Sequence, residues 1–314
     1  MNAMKYLLLT FLLGISVYQA TAQDDLMNML DQQTAKKDSA TTEYAAATFK
    51  SMRIINGQSV ETVGKGVLSF LISHRFGPFS DGAYNFFGLD KAVIRLGFEY
   101  GITNRLEVGV GRSSLNKVYD GYLKYKLLRQ SKGARVMPVS VTLFASVAVQ
   151  TEHPAYPDLY NDFSNRLYYT YQALIARKFS KNFSAQISPT LIHRNLVEYK
   201  DETNDLWAVG VAGRYKVTKR LAVTAEYFYV LPGQNNYYKA GTDKINYTNC
   251  LSVGVDIETG GHVFQLHCTN SMGMIEKAFI GETTGRWDKG NIMFGFNVTR
   301  PFNIANRKNK EPKQ

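Results

Sequence analysis

Between Asn246 and Met272 the chain reads NYTNCLSVGVDIETGGHVFQLHCTNSM, two runs of period-two alternation on either side of Gly260-Gly261. Leu251, Val253, Val255 and Ile257 share one face of the first run, and Cys250, Ser252, Gly254 and Asp256 share the other. In the second run Phe264, Leu266 and Cys268 alternate with Val263, Gln265, His267 and Thr269. A Gly-Gly loop is a strong hairpin signal, because both central residues accept positive φ. Closing it sets Thr259 opposite His262, Ile257 opposite Phe264, Val255 opposite Leu266 and Val253 opposite Cys268. The apolar faces of the two strands then coincide, and a slip of one residue would destroy the match. The pattern demands a sheet with one greasy and one polar face. What the greasy face meets, a protein core or a bilayer, decides the fold.

Strand length speaks for the bilayer. Alternation runs almost unbroken through twelve segments: Gly66 to Phe76, Lys91 to Gly101, Arg105 to Ser113, Lys117 to Leu128, Val136 to Gln150, Arg166 to Lys178, Phe183 to Arg194, Leu206 to Val217, Leu221 to Leu231, Tyr247 to Glu258, His262 to Met272 and Asn291 to Phe302. A tilted membrane strand needs about 9 to 11 residues, whereas soluble strands average roughly five or six. The connections alternate in length. Ile102-Thr-Asn-Arg-Leu-Glu-Val108, Phe179-Ser-Lys-Asn-Phe-Ser-Ala185 and Val217-Thr-Lys-Arg-Leu-Ala-Val223 repeat one compact turn: apolar, Ser or Thr, two polar residues, apolar, any, apolar. Gly260-Gly261 and a basic stretch at Arg129 to Arg135 complete that set. The intervening loops are longer, Gly77 to Asp90, Thr151 to Asn165, Asn195 to Asp205, Pro232 to Asn246 and Gly273 to Gly290, and only Ser114 to Asn116 is short. Short turns at one end and long loops at the other mark outer-membrane barrels. The expected fold is all-β: a closed antiparallel transmembrane β-barrel of about twelve strands, with short periplasmic turns and longer extracellular loops.

The outward set fits a lipid face. Leu68, Phe70, Ile94, Leu96, Val108, Val110, Val141, Leu143, Val209, Val211, Phe294 and Phe296 lie between Tyr125, Tyr169, Tyr171, Trp207, Tyr215, Tyr227 and Tyr229 near strand ends, as in an aromatic girdle. The alternative, a soluble sandwich or wide lipocalin-like barrel, would turn this face inward. Residues 1–22 have the three-part form of a secretory signal, with Lys5, an apolar run from Tyr6 to Val17 and Ala20-Thr21-Ala22. Residues 23–64 read as a periplasmic arm, with a short helix over Asp24 to Lys37, a linker over Asp38 to Ala47 and then Thr48 to Gly64, in the periplasm or at the barrel mouth, where Met52 to Ile55 is a candidate strand that even strand parity argues against. Residues 65–302 form the barrel and 303–314 a basic tail. No other run of about 20 apolar residues occurs, so no transmembrane helix is expected in the mature chain.

Register also separates the two cysteines. Cys250 lies on the polar face and Cys268 on the apolar one, so free thiols are expected rather than a disulfide. Neither has metal-ligand spacing, and no phosphate loop or dinucleotide fingerprint is present, so no cofactor is expected. The formal charge of +11 points to lipid phosphates at the rim, near Arg112, rather than to nucleic acid.

Several segments resemble the bacteroidete-type outer-membrane β-barrels of unknown function. They are Thr48-Phe-Lys-Ser-Met-Arg-Ile-Ile-Asn-Gly57 with Ser59-Val-Glu-Thr62, then Ile72-Ser-His-Arg-Phe-Gly77, the repeated turn, and a signal ending in Thr-Ala-Gln. The resemblance implies an exported barrel from Gly66 to Phe302 and no particular activity. In one departure from many outer-membrane proteins, the chain does not end on an aromatic residue, since twelve residues follow Phe302.

Parity assigns Arg75, Arg95, Lys124, Lys126, Arg194 and Arg214 to the inner face as cations, with Glu99, Glu107, Asp120, Glu226 and Asp256 as anions. Arg214 is expected beside Glu226, and Asp120, Lys124 and Lys126 along one strand. Such a balanced set serves either as a selective lining or as a network that satisfies itself. Twelve strands fall between filled eight-stranded barrels and open sixteen-stranded porins. The expected function is therefore a narrow channel for small solutes, anions among them, rather than an enzyme. Two alternatives stand beside it. One is a structural barrel whose residues 24–64 dock a periplasmic protein. The other is a lipid-acting hydrolase drawing on Ser69, Ser73, His74, His193, His262 or His267, although no serine lies convincingly beside an oriented histidine.

Overall fold

Each of the expected strands forms in the computed structural model, which describes residues 41–152, 162–197, 202–234, 236–238, 244–259 and 262–305. They are β1 (Val67–Pro78), β2 (Ala92–Gly101), β3 (Leu106–Ser113), β4 (Val118–Leu128), β5 (Ser140–Gln150), β6 (Leu167–Lys178), β7 (Phe183–Arg194), β8 (Asp205–Lys216), β9 (Leu221–Val230), β10 (Cys250–Thr259), β11 (His262–Thr269) and β12 (Met293–Asn303). Each pairs antiparallel with its neighbour in sequence, and β12 closes on β1 from Met293↔Pro78 to Asn303↔Val67. The β10–β11 register is the one the alternation dictates, with Ile257↔Phe264, Val255↔Leu266 and Val253↔Cys268. The Gly260-Gly261 turn itself lies outside the described residues, as do the signal segment, the Asp24 to Lys37 helix and most of the basic tail.

The greasy face points outward. Val110 is 60% exposed, Trp207 52%, Val253 41% and Phe264 38%, values no core side chain would show. Their alternating neighbours, such as Ser73, Thr190 and Asn297, are buried inside. No helix among the described residues is long and apolar enough to cross a membrane, which says nothing of the strands.

The repeated turn has a physical cause in its second residue. In all three copies the hydroxyl of Thr103, Ser180 or Thr218 accepts from two backbone amides, those of the residues two and three positions on. The amides of Ile102, Phe179 and Val217 donate to the carbonyls of Leu106, Phe183 and Leu221, closing the loops. A side-chain oxygen thus satisfies amides that the turn leaves without ladder partners.

A small antiparallel pair, Thr42–Tyr44 with Ser131–Gly133, forms a separate unit outside the barrel sheet. The assignment of residues 23–64 to a periplasmic arm needs correction in its second half. Thr48 to Gly64 packs inside the barrel, with Phe49, Ile54, Ile55, Val60 and Val63 all buried. The strand expected near Met52 reduces to a single bridge, Arg53↔Gln58. The apolar side chains of this segment have no period of their own, and they find cover on the inner wall instead of in a sheet.

Candidate functional site in the barrel lumen

The segment enters at the short-turn end, where the Ala46 carbonyl accepts from Lys178 Nζ at 2.7 Å. It turns back on itself through Ser59 N–H to Met52 O and Ile54 N–H to Gly57 O, each 2.8 Å. It leaves at the same end, where Gly66 N–H donates to Gly101 O. The tip, Ile54 to Gly57, is held by one acid. The Glu226 carboxylate accepts from the amides of Ile55 (3.2 Å), Asn56 (2.8 Å) and Gly57 (3.0 Å). Carboxamides take the carbonyls: Gln265 Nε2 donates to Ile54 O (2.7 Å) and Asn297 Nδ2 to Ile55 O (2.8 Å). Asn56 Nδ2 reaches Ser252 Oγ at 2.9 Å, and Arg75 Nη2 donates to Asn56 Oδ1.

The returning limb is held in the same way. Gln186 donates to Gln58 O and accepts from Val60 N–H, Thr142 donates to Val60 O, and Glu107 accepts from Val63 N–H at 2.7 Å. Lys124 Nζ donates to the carbonyls of Glu61 (2.8 Å) and Met52 (3.3 Å), and Lys126 pairs with Glu61 at 3.1 Å. Phe49, Ile54 and Val60 pack with Ala176. The inner charges were expected to form either a selective lining or a network that satisfies itself. The inner wall is largely a mould for backbone, with polar contacts to the main chain and one small apolar cluster around Ala176.

A second closure comes from the long-loop end. Within the β11–β12 loop, the helix α1 (Glu276–Gly281) is buried at every position. Phe279 and Ile280 pack on Ile192, Leu206, Phe228, Val230 and Cys250, while Ile275 and Ala278 pack on Val118, Ala148 and Tyr168. Lys277 donates to Gln150 Oε1 and pairs with Glu282, both at 3.0 Å. Burial opposes its charge, yet the Glu282 carboxylate holds the ammonium above the ordinary lysine value. The two closures meet: Gln58 Nε2 donates to Glu276 Oε1 at 3.0 Å, and Arg53 lies 3.6 Å from the same carboxylate and donates to Met274 O. Protein therefore fills the middle of the lumen. A cavity of about 380 Å³ remains on the long-loop side, bounded by Tyr168, Arg194, Tyr247 and Lys277. Another of about 340 Å³ remains on the short-turn side, between Lys50, Met52, Val63, Glu258 and His262.

Every charged residue assigned inward by parity lies inside, but the pairings differ from expectation. Arg214 bonds Asp256 (3.2 Å) and Glu258 (2.8 Å), not Glu226, whose oxygens serve the plug. Asp120 is not part of a cationic stripe with Lys124 and Lys126; it pairs with Arg95 on the next strand but one. Glu99 and Glu107 share the Tyr122 hydroxyl, at 2.7 and 3.3 Å. Arg194 pairs with Glu202 at 3.4 Å beside the outer cavity. Among the hydrolase candidates, His193 bonds the exposed Asp205, His74 stacks on Phe296 at the lipid face, and His262 stacks on Phe264. No serine bonds any of them among the described hydrogen bonds. Sequence reasoning missed Gln186, Gln265, Asn297 and Glu276. For the three carboxamides the signal was weak but present, since at inward parity they can bind backbone on both their atoms; Glu276, in a loop outside strand parity, carried none.

A closed, even-numbered antiparallel barrel with an apolar outer band and short turns at one end has outer-membrane architecture. The chain is an outer-membrane β-barrel protein, and it belongs to the family described as Membrane bound beta barrel domain (DUF5777), whose model matches residues 49–302. The match begins within the inner segment and takes in its residues 49–64. No curated protein matches the chain. Among solved structures, it is similar to a KdgM porin at 10% identity, with 74% of this chain and 99% of that chain covered and a TM-score of 0.44. An outer-membrane channel from Pseudomonas putida F1 is 13% identical, with coverage of 77% and 98% and a TM-score of 0.45. LpxR from Salmonella typhimurium is 11% identical, with coverage of 75% and 99% and a TM-score of 0.33.

Proposed function

We propose that the protein is a gated barrel for small solutes, closed at rest by its own residues 46–64 and opened when that segment withdraws toward the short-turn end. The observation that carries this reading is the grip of Glu226 on three successive plug amides. A permanent core would be apolar, because water cannot replace buried hydrocarbon contacts. Hydrogen bonds exchange for water at small net cost, about 0.5 to 1.5 kcal/mol for a neutral bond and about 1.5 to 3 when one partner is charged. The hydrogen bonds that hold the plug backbone can therefore be traded for water without unfolding the wall, and the opposing cost is the small apolar cluster of Phe49, Ile54 and Val60 on Ala176. Both ends of the plug lie at the short-turn end, so withdrawal needs no threading.

The charge pattern argues against strong preference for anions. Withdrawal would strip Lys124 and Lys126 of plug oxygens, but it would equally strip Glu226 and Glu107 of plug amides. The cavity volumes suit small solutes on either side of the closure. Residues 24–45 precede the plug and would be the handle by which a periplasmic partner pulls it. The part of that docking surface assigned to residues 48–64 is withdrawn, since those side chains face the wall.

Conductance of the refolded barrel in a planar bilayer tests the reading. The full chain should be silent or flicker, and deletion of residues 46–64 combined with Phe279→Ala, which loosens the second closure at α1, should give a steady current of small-solute size. A deletion variant that folds and stays silent would leave only a structural barrel.

A further inference from the structure

Two closures that enter the lumen from opposite ends meet over a single buried pair of charges. Arg53 of the plug is 2% exposed and Glu276 of α1 is 4% exposed, and 3.6 Å separates them. Among the described residues neither has another ion-pair partner. Lys277, the next residue on α1, is paired with Glu282, and Glu226 at the plug tip is engaged by amides. Gln58 Nε2 also donates to Glu276 at 3.0 Å, and Arg53 Nη1 donates to Met274 O at 3.3 Å. Arg53 Nε and Nη2 are buried without a hydrogen-bond partner among the described residues, so the guanidinium is held through Nη1.

Breaking such a pair leaves each partner as a buried ion without a counter-charge, which is costly. Withdrawal of the plug takes Arg53 and Gln58 away and leaves Glu276 inside with neither cation nor donor. The carboxylate then regains hydration only if α1 loosens. Outward displacement of α1 has the mirror consequence: Arg53 loses its anion and the Met274 carbonyl, and the plug is held less tightly. Neither event removes the packing of Phe279 and Ile280, so the pair biases the second closure without opening it outright. The same loop also lines the long-loop cavity, through Gly273, Lys277, Ala278 and Glu282. Helix α1 therefore touches the cavity with Lys277 and Ala278 and the plug with Glu276.

We infer that the barrel is also a relay between its two ends, with Arg53 and Glu276 as the coupling pair: displacing α1 weakens the hold on the plug, and withdrawing the plug loosens α1. Coupling of this kind is reciprocal by thermodynamic necessity and typically amounts to about 5- to 150-fold. A small polar solute in the long-loop cavity that binds better to the displaced helix is thereby felt by the plug, and through it by residues 24–45. The relay rests on the withdrawable plug proposed above.

Hydrogen exchange at α1 tests the relay, since the amides of Ala278, Phe279 and Glu282 are bonded within the helix. The refolded full chain carries Ser51→Cys and Thr299→Cys, whose hydroxyls lie 3.4 Å apart, with Cys250→Ser and Cys268→Ala, so the plug is locked when oxidised and free when reduced. Exchange and planar-bilayer current are followed in both forms. Oxidation should slow α1 exchange at least about fivefold. Glu276→Gln keeps an acceptor for Gln58 but removes the charge, and should shrink that difference to under about twofold. Arg53→Met should speed α1 exchange in the oxidised form and add nothing to Glu276→Gln. Should Arg53→Met fail to fold, the tether still decides, because it leaves both charges in place. Current that returns on reduction while α1 exchange stays the same overturns the relay and leaves the gate standing. No change in either quantity overturns both, and a difference undiminished in Glu276→Gln overturns the role of this pair. Altered exchange with unaltered current supports the relay and counts against solute passage alone.

Discussion

The three amides that converge on Glu226 make it the side chain through which the wall holds the plug tip. Glu226→Gln keeps the shape and one acceptor oxygen but loses the charge, while Glu226→Ala leaves buried amides without an acceptor, at roughly 1 to 3 kcal/mol each. The expected order of plug release is Ala above Gln above wild type, read as open probability in the planar bilayer. Equal open probability in all three would contradict the role assigned to this carboxylate. Gly57 gives an independent handle. A Cβ there would lie 2.8 Å from Phe228 Cζ, inside the buried contact of Phe228 with Phe279. Gly57→Leu should therefore push the tip off its seat, and overpacking of this kind costs about 1 to 3 kcal/mol. Protease cleavage within residues 46–64 should become faster in this variant while the barrel stays heat-resistant on a gel. Parity alone made the inner charges legible, since alternate strand positions share a face. Their partners were not legible, because half of them belong to Thr48 to Gly64, where no period assigns a direction.

At the level of elements, the strands and compact turns could be read because each states its rule locally. Two faces are separated in every strand, and each compact turn carries a hydroxyl that binds two amides. Thr218→Val keeps the shape and removes that acceptor. It should cost about 1 kcal/mol in denaturant unfolding, whereas Lys219→Ala beside it should cost nothing measurable. Helix α1 was not legible. It has six residues, no side-chain cap and no polar face, since every position is buried, so neither amphipathic period nor capping announces it. What could have been noticed is that Ile192, Leu206, Phe228 and Val230 are apolar at inward parity near the long-loop ends of their strands. An apolar patch inside a polar lumen needs a cover. Phe279→Ala should cost about 3 to 5 kcal/mol and free the loop, and trypsin should then cut at Lys277 in the folded barrel. Continued protection at Lys277 would mean that the helix is held by something other than this ring.

At the scale of the whole molecule, the wall and the plug obey different physics. The wall is fixed by hydrocarbon outside and strand pairing all round, so it can persist whether or not its lumen is filled. The plug is fixed by hydrogen bonds to wall side chains that can be traded for water, and its two ends share one side of the barrel. Division of the chain at residue 64 followed from counting strands, which says where pairing begins but not what fills the space the pairing encloses.

A reversible tether tests the gate most directly. Ser51 Oγ on the plug lies 3.4 Å from Thr299 Oγ1 on β12, a separation suited to a disulfide between the paired variants Ser51→Cys and Thr299→Cys. With Cys250→Ser and Cys268→Ala removing the native thiols, the oxidised barrel should pass no current in a planar bilayer, and reductant added on the short-turn side should restore the flickering of the untethered protein. Current that is the same before and after reduction would show that solutes pass without the plug moving, and the gated reading would be wrong.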